Sequence, residues 1–170
     1  MHPDIHLPPL TIKGKVIRIP IIQGGMGVGV SLHPLASAVA KEGGIGIVSS
    51  AALDRLVSKR TGKKLNTYEA VCEEISLARK NGGYAGINIM VALARDYDDS
   101  VRGAIDAKAD IIISGGGLPM NLPSIHPPDT TALVPIVSSP RALELICKKW
   151  ERWRYRPDAV VLEGPLAGGH

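Results

Sequence analysis

The chain has 170 residues, 45% of them hydrophobic and 21% charged, which suits a water-soluble domain with a real core and excludes a low-complexity or disordered polymer. No run of residues approaches an apolar membrane span, and residues 1–4 (Met-His-Pro-Asp) lack the basic and apolar regions of a signal peptide, so a cytoplasmic protein is expected. The net charge of +4 comes partly from two basic clusters, 55–64 and 148–156.

In chain order, six apolar runs recur: 19–23, 45–50, 86–91, 110–114, 133–138 and 159–163. Each is continuously apolar rather than alternating, the pattern of a parallel strand covered on both faces. Helical segments lie between most of them, with chemical punctuation at their ends. Ser31 is placed to cap a helix over 32–41 that Gly43 closes. Thr67 is placed to cap 68–80, which ends at Asn81-Gly82-Gly83. Asp96 or Asp98 can open 99–107, and Ser139 followed by Pro140 reads as an N-cap with proline at the first helical position.

Alternating strand and helix implies βαβ units, hence a doubly wound sheet or a (β/α)8 barrel. A dinucleotide-binding Rossmann unit fails on register. Its fingerprint needs glycines at relative positions one, three and six, but counting from Gly25 places Val30 where the third should stand. The second strand also ends Ser49-Ser50, without the acid that would hold a ribose.

The last run is followed by Glu163, a glycine-rich loop and then Gly168-Gly169-His170. Loops after parallel strands are where such folds place chemistry. A histidine there can serve as acid or base near neutral pH, and the glycines let a flat ligand approach the backbone.

Five segments stand in order at these strand ends: Ile21-Ile22-Gln23-Gly24-Gly25-Met26-Gly27, Ala85-Gly86-Ile87-Asn88-Ile89-Met90, Ile113-Ser114-Gly115-Gly116-Gly117-Leu118-Pro119, Leu162-Glu163-Gly164 and Gly168-Gly169-His170. Together they resemble the nitronate monooxygenase family, formerly called 2-nitropropane dioxygenases, whose fold and pattern are shared by flavin-dependent enoyl-acyl-carrier-protein reductases. The resemblance spans nearly the whole chain. It implies a TIM barrel that binds FMN without a covalent bond at the top of its strands. The family's backbone contact with the flavin maps onto Gln23, Gly24, Gly25 and Met26. Its asparagine maps onto Asn88, the acid before the glycine loop onto Glu163, and the loop and active-site histidine onto Gly168, Gly169 and His170. Gly116 stands where the family more often has alanine, a change read as loosening the turn.

These assignments make chemical sense. Bare glycines at 24 and 25 leave amides free to donate to flavin carbonyls, and Asn88 offers a donor and an acceptor to a pyrimidine edge. Glu163 has a competing structural reading as a cap of the following turn. The resemblance implies oxidation of nitronates or nitroalkanes with O2, the alternative being NAD(P)H-dependent reduction of an enoyl thioester. A third reading makes this chain a non-catalytic piece of such a barrel.

A complete barrel takes about 250 residues. Residues 1–170 with six strands therefore read as one incomplete FMN-binding barrel domain, lacking strands seven and eight and the phosphate-binding loops usual there. Its open edges call for self-association or a completing C-terminal segment. Cys72 and Cys147 fall among apolar helix neighbours and read as buried reduced thiols. His2, His6, His33 and His126 have no ligand spacing, so no metal site is expected. The basic-aromatic stretch 148–156 reads as a helix end, with Trp150 and Trp153 sharing a face with Ile146, rather than as a nucleic-acid surface. The proline-rich segment 121–131 is placed as a lid.

Overall fold

The computed structural model describes residues 7–167. A parallel sheet forms the framework: β3 (Ile45–Ser49), β4 (Tyr84–Met90), β5 (Ile111–Gly115), β6 (Ala132–Val137) and β7 (Val161–Leu162). They lie side by side in sequence order, so every crossover advances by one strand and no switch point arises. That winding is the barrel's, not the doubly wound sheet's. The sheet curls into a half-barrel, and the chain has the TIM-barrel fold in part.

Both faces are covered, which is why the strands read as unbroken apolar runs. Ile45, Ile47, Ile111, Ile113 and Val134 belong to an inner cluster, whereas Val48, Ile87, Ile112 and Leu133 meet the helices in an outer one. The helices are α1 (His33–Glu42), α2 (Leu53–Thr61), α3 (Thr67–Arg79), α4 (Ala94–Asp106), α5 (Leu122–Ile125) and α6 (Pro140–Trp150). Glu74 of α3 is fully buried between α1 and α2, where it accepts hydrogen bonds from the His33 amide (2.6 Å) and Arg60 Nη1 (2.5 Å). A carboxylate at the start of α1 satisfies an amide that the helix leaves free.

A hairpin not anticipated from sequence, β1 (Leu10–Ile12) and β2 (Lys15–Ile17), closes the amino-terminal end of the half-barrel. Its two-residue turn places Lys13 and Gly14 at φ 45° and 75°, as a tight hairpin demands. Ile12 and Ile17 enter the inner cluster. Lys13 Nζ donates at 2.8 Å to both the Thr131 carbonyl and the Tyr155 hydroxyl, and lies 3.7 Å from Asp158.

Several local expectations change. The run 19–23 is not a full strand: it makes one bridge, Ile22 to Ile45, because the Ile21 amide turns back to the Ile19 carbonyl (2.7 Å) and glycines follow at once. The run 159–163 shortens to the two residues of β7. Part of the basic cluster 55–64 is helix α2. Asn66, not Thr67, caps α3 through a reciprocal box with Glu69, while Thr67 Oγ1 donates to Asp96. Helix α4 opens at Ala94, ahead of both aspartates. Gly43 does close α1 at φ 99°, and Ser139 does cap α6, accepting from the Ala142 amide at 3.3 Å.

Cys72 and Cys147 are half-buried rather than buried. Trp150 is buried with Ile146, donating to the Pro119 carbonyl at 2.9 Å, but Trp153 sits in a following 3-10 turn and is 36% exposed. The segment 121–131 is no lid. Leu122 is buried against the outer cluster, His126 Nε2 lies 3.0 Å from Asp106, and Thr131 donates to the Ala109 carbonyl, so the segment runs along the outer wall. Among the described residues no helix is long and apolar enough to cross a membrane, and no group of three or more metal-ligating side chains converges.

Candidate flavin-binding site

The site begins where β3 has no full neighbour. Ile45 donates to the Ile21 carbonyl (2.9 Å) and accepts from the Gln23 amide (3.0 Å), after which the backbone turns away at Gly24. The Gln23 side chain takes over the pairing. Its Oε1 accepts from the Ile47 amide at 3.0 Å, and its Nε2 donates to Ser31 Oγ at 2.9 Å and to the Gly24 carbonyl. An amide side chain thereby finishes a ladder that the glycines abandon, and Gln23 is committed to shaping the loop.

Ser31 holds the other end. Fully buried, its hydroxyl accepts from the Met26 amide (2.9 Å) as well as Gln23 Nε2, and donates to the Gly24 carbonyl (3.1 Å). It is therefore a clamp on the Gln23–Met26 loop and not the expected cap, since α1 has Leu32 at that position with no side-chain cap bond. Nothing in the spacing of Ser31 distinguishes these roles, because both place a serine just ahead of a helix.

Clamped this way, the loop leaves useful groups free. Among the described residues the amides of Gly24 and Gly25 donate to nothing. A Cβ on Gly24 would meet no atom within 4 Å, so that side is open, while one on Gly25 would collide with the Asn88 Cβ. Gly25 is thus obligatory for close approach to β4. Asn88 is half-buried, pairs in register with Ser49 and Ile113, and its side-chain amide makes no hydrogen bond among the described residues. The Gly25 backbone meets the Asn88 side chain at the carboxyl end of the strands, with free donors on the loop and a free amide on the strand. A planar ligand bearing carbonyl and ring-nitrogen acceptors matches that donor set, so the residues present fit the pyrimidine edge of a flavin.

Met26 is 46% exposed at the loop's rim, beside Val28 and Val30. Glu163 follows β7, three strands along the sheet from Asn88. Its amide donates to the Val137 carbonyl (2.9 Å), and its exposed carboxylate makes no ion pair or side-chain hydrogen bond among the described residues. It does not cap the turn that follows. Gly168, Gly169 and His170 lie outside the described residues.

Beneath the strand tops, the Tyr97 hydroxyl lies 2.9 Å from Ser114 Oγ, which donates to the Ile89 carbonyl at 3.1 Å. Burial pushes the Tyr97 hydroxyl up to about 12, with its Ser114 hydrogen bond working in the opposite direction. After β5, Gly116 adopts φ 63° and Gly117 φ 129°. Glycine at 116 serves a left-handed backbone in which alanine would be strained, so it does not merely loosen the turn.

Comparison with solved structures places this architecture. FabK from Thermotoga maritima, as a point mutant, superposes at TM-score 0.70 with 28% identity, covering 91% of this chain and 45% of that one. The parent FabK gives TM-score 0.67 at 28% identity, with 89% and 42% covered. A nitroalkane oxidase from Streptomyces ansochromogenes gives 0.68 at 19% identity, with 91% and 48% covered, a likeness of fold. The chain thus spans less than half the length of these proteins. No curated protein matches it significantly. The family description "nitronate monooxygenase" matches residues 9–170, and the chain belongs to that family.

Proposed function

We propose that the chain carries the amino-terminal part of the flavin site of an FMN-dependent oxidoreductase that oxidises nitronates or nitroalkanes with O2. The observation that carries this reading is the Gly25–Asn88 apposition, which sets two free loop amides and a free asparagine amide together at the carboxyl end of a barrel-type sheet. Family membership supports it.

Bound FMN would accept two electrons from the substrate and pass them to O2. The chain's residues bind and orient. Gly24 and Gly25 donate from their amides to ring carbonyls, Asn88 recognises the pyrimidine edge, and Gln23 with Ser31 holds the loop in place. Met26 contributes apolar cover at the rim, and Gly168 and Gly169 leave room for close backbone approach. Glu163, its carboxylate exposed just after β7, contacts the cofactor from that side of the sheet. His170 takes the proton from the carbon bearing the nitro group, leaving the nitronate, or pairs with a nitronate already ionised. The 74% exposure of Leu162 on the unpaired side of β7 supports a further segment, or a second copy, covering that edge in the working protein.

A second reading, NAD(P)H-dependent reduction of an enoyl thioester at the same site, draws on the higher identity to FabK, 28% against 19% for the nitroalkane oxidase. Native mass spectrometry combined with anaerobic mixing tests both. One FMN per assembled barrel, bleached by a nitronate and not by NADH, supports the monooxygenase. Bleaching by NADH replaces it with the reductase, and a flavin-free bare chain excludes both for this chain on its own.

A further inference from the structure

The outer wall between α4 and α6 is under-filled. Helix α5 has 4 residues where α4 has 13 and α6 has 11, so about 10 Å of helix or more is missing from that layer. A hollow of about 300 Å³ remains against α6, lined by Met120, Leu145, Lys148, Lys149 and Arg152. Its apolar elements are accessible, with Leu145 45% exposed. Its charge is of one sign: no acidic side chain lines it, and Lys148, Lys149 and Arg152 form no ion pair among the described residues.

The chain's surplus charge is concentrated here. Residues 140–156 carry six basic and two acidic side chains, a net +4, equal to the +4 of all 170 residues, so the remainder is neutral. Lys148 and Lys149 complement the carboxyl end of α6, but Arg152, Arg154 and Arg156 lie beyond the helix and have no such role. Because α6 runs back from the carboxyl end of β6, this basic stretch leads away from the strand-end loops that hold Gly25 and Asn88.

We infer that this groove docks an acidic amphipathic segment of a partner protein, which lays an apolar side chain over Met120 and Leu145 while its carboxylates pair with Lys148, Lys149 and Arg152. A groove of limited length with an apolar floor and one basic wall selects a short helix in this way. A nucleic acid would need stacking platforms, and the stretch exposes one tryptophan, Trp153, at 36%. A membrane surface would need a convex apolar face instead of a hollow. The inference is independent of the flavin site.

The test is selection of a random 16-residue peptide library on the full chain, followed by anisotropy titration of the enriched peptides. The expected peptides carry an acidic surplus with apolar residues three or four apart. They should bind at least tenfold more weakly to a Lys148→Glu/Arg152→Glu variant and at least fivefold more weakly to Leu145→Ser. A charge-matched Lys59→Glu/Arg102→Glu variant, altered at exposed positions on α2 and α4, should bind as the parent does. All of these sites are on the surface, and identical circular dichroism melts establish that the variants fold. The inference is overturned by no enrichment, by neutral peptides, by equal losses in the charge-matched variant, or by heparin, single-stranded DNA or phosphatidylserine vesicles displacing the peptides at equal charge concentration.

Discussion

Gly25 lies so close to Asn88 that a methyl group on the glycine would stand 3.1 Å from both Cγ and Nδ2 of the asparagine, besides colliding with its Cβ. The two residues are 63 positions apart, and their contact fixes the loop against the strand. A Gly25→Ala variant has to move either the loop or Asn88. FMN binding, read by quenching of flavin fluorescence, should weaken at least tenfold while the melting temperature changes little; unchanged affinity would remove Gly25 and Asn88 from the site.

Ser31→Ala leaves the Met26 amide and Gln23 Nε2 without their common acceptor. The loss should be about 1 kcal/mol in a urea titration, the usual net contribution of a hydrogen bond, because Met26 is partly exposed and Gln23 Nε2 keeps the Gly24 carbonyl. Hydrogen exchange should localise it, with the Met26 amide exchanging at least tenfold faster and amides in α6 unaffected. Uniform acceleration across the chain would mean that Ser31 supports the fold at large.

Arg60 and Glu74 form an ion pair whose carboxylate is wholly buried. Arg60→Met leaves that charge with only His33 beside it and should cost about 3 kcal/mol. Adding Glu74→Met removes the stranded charge, so the double variant should be more stable than Arg60→Met alone. Additive losses in the cycle would show that the two side chains act separately.

Tyr97 makes stability fall at alkaline pH. Its folded hydroxyl is pushed to about 12 from 10.0, so the folded state retains a proton that the unfolded chain gives up. The associated stabilisation, about 3 kcal/mol, is fully present below pH 10 and is lost as pH rises toward 12. Tyr97→Phe should flatten this part of the stability profile. Tyr68, raised to about 12 chiefly by its bond to Asp106, and Tyr155, raised by burial and by Asp158, leave a residual slope. A profile identical to the parent's would remove Tyr97 from the effect.

The sequence by itself determined an alternating α/β chain with buried parallel strands, because burial on both faces forces continuous apolar runs. The barrel was implied by the family resemblance, and the side-by-side strand order that distinguishes it from a doubly wound sheet came from the structure. The sequence located Gly43 and Ser139 as helix ends, since those depend on a residue's own backbone preference or on a partner three residues away. It also marked Gln23–Met26 and Asn88 through their resemblance to a family. Only the tertiary structure decided what depends on residues far apart. Ser31 is a clamp because Gln23 and Met26 return to it; Asn66 displaces Thr67 as cap because Asp96 engages the threonine. Segment 121–131 lies on the wall because Leu122 and His126 find partners there. Residues 19–23 fall short of a full strand because the Ile21 amide turns back to the Ile19 carbonyl and the Gln23 side chain replaces the next backbone rung. Local pattern reports which side of a segment wants burial; the neighbour it is buried against is a property of the folded chain.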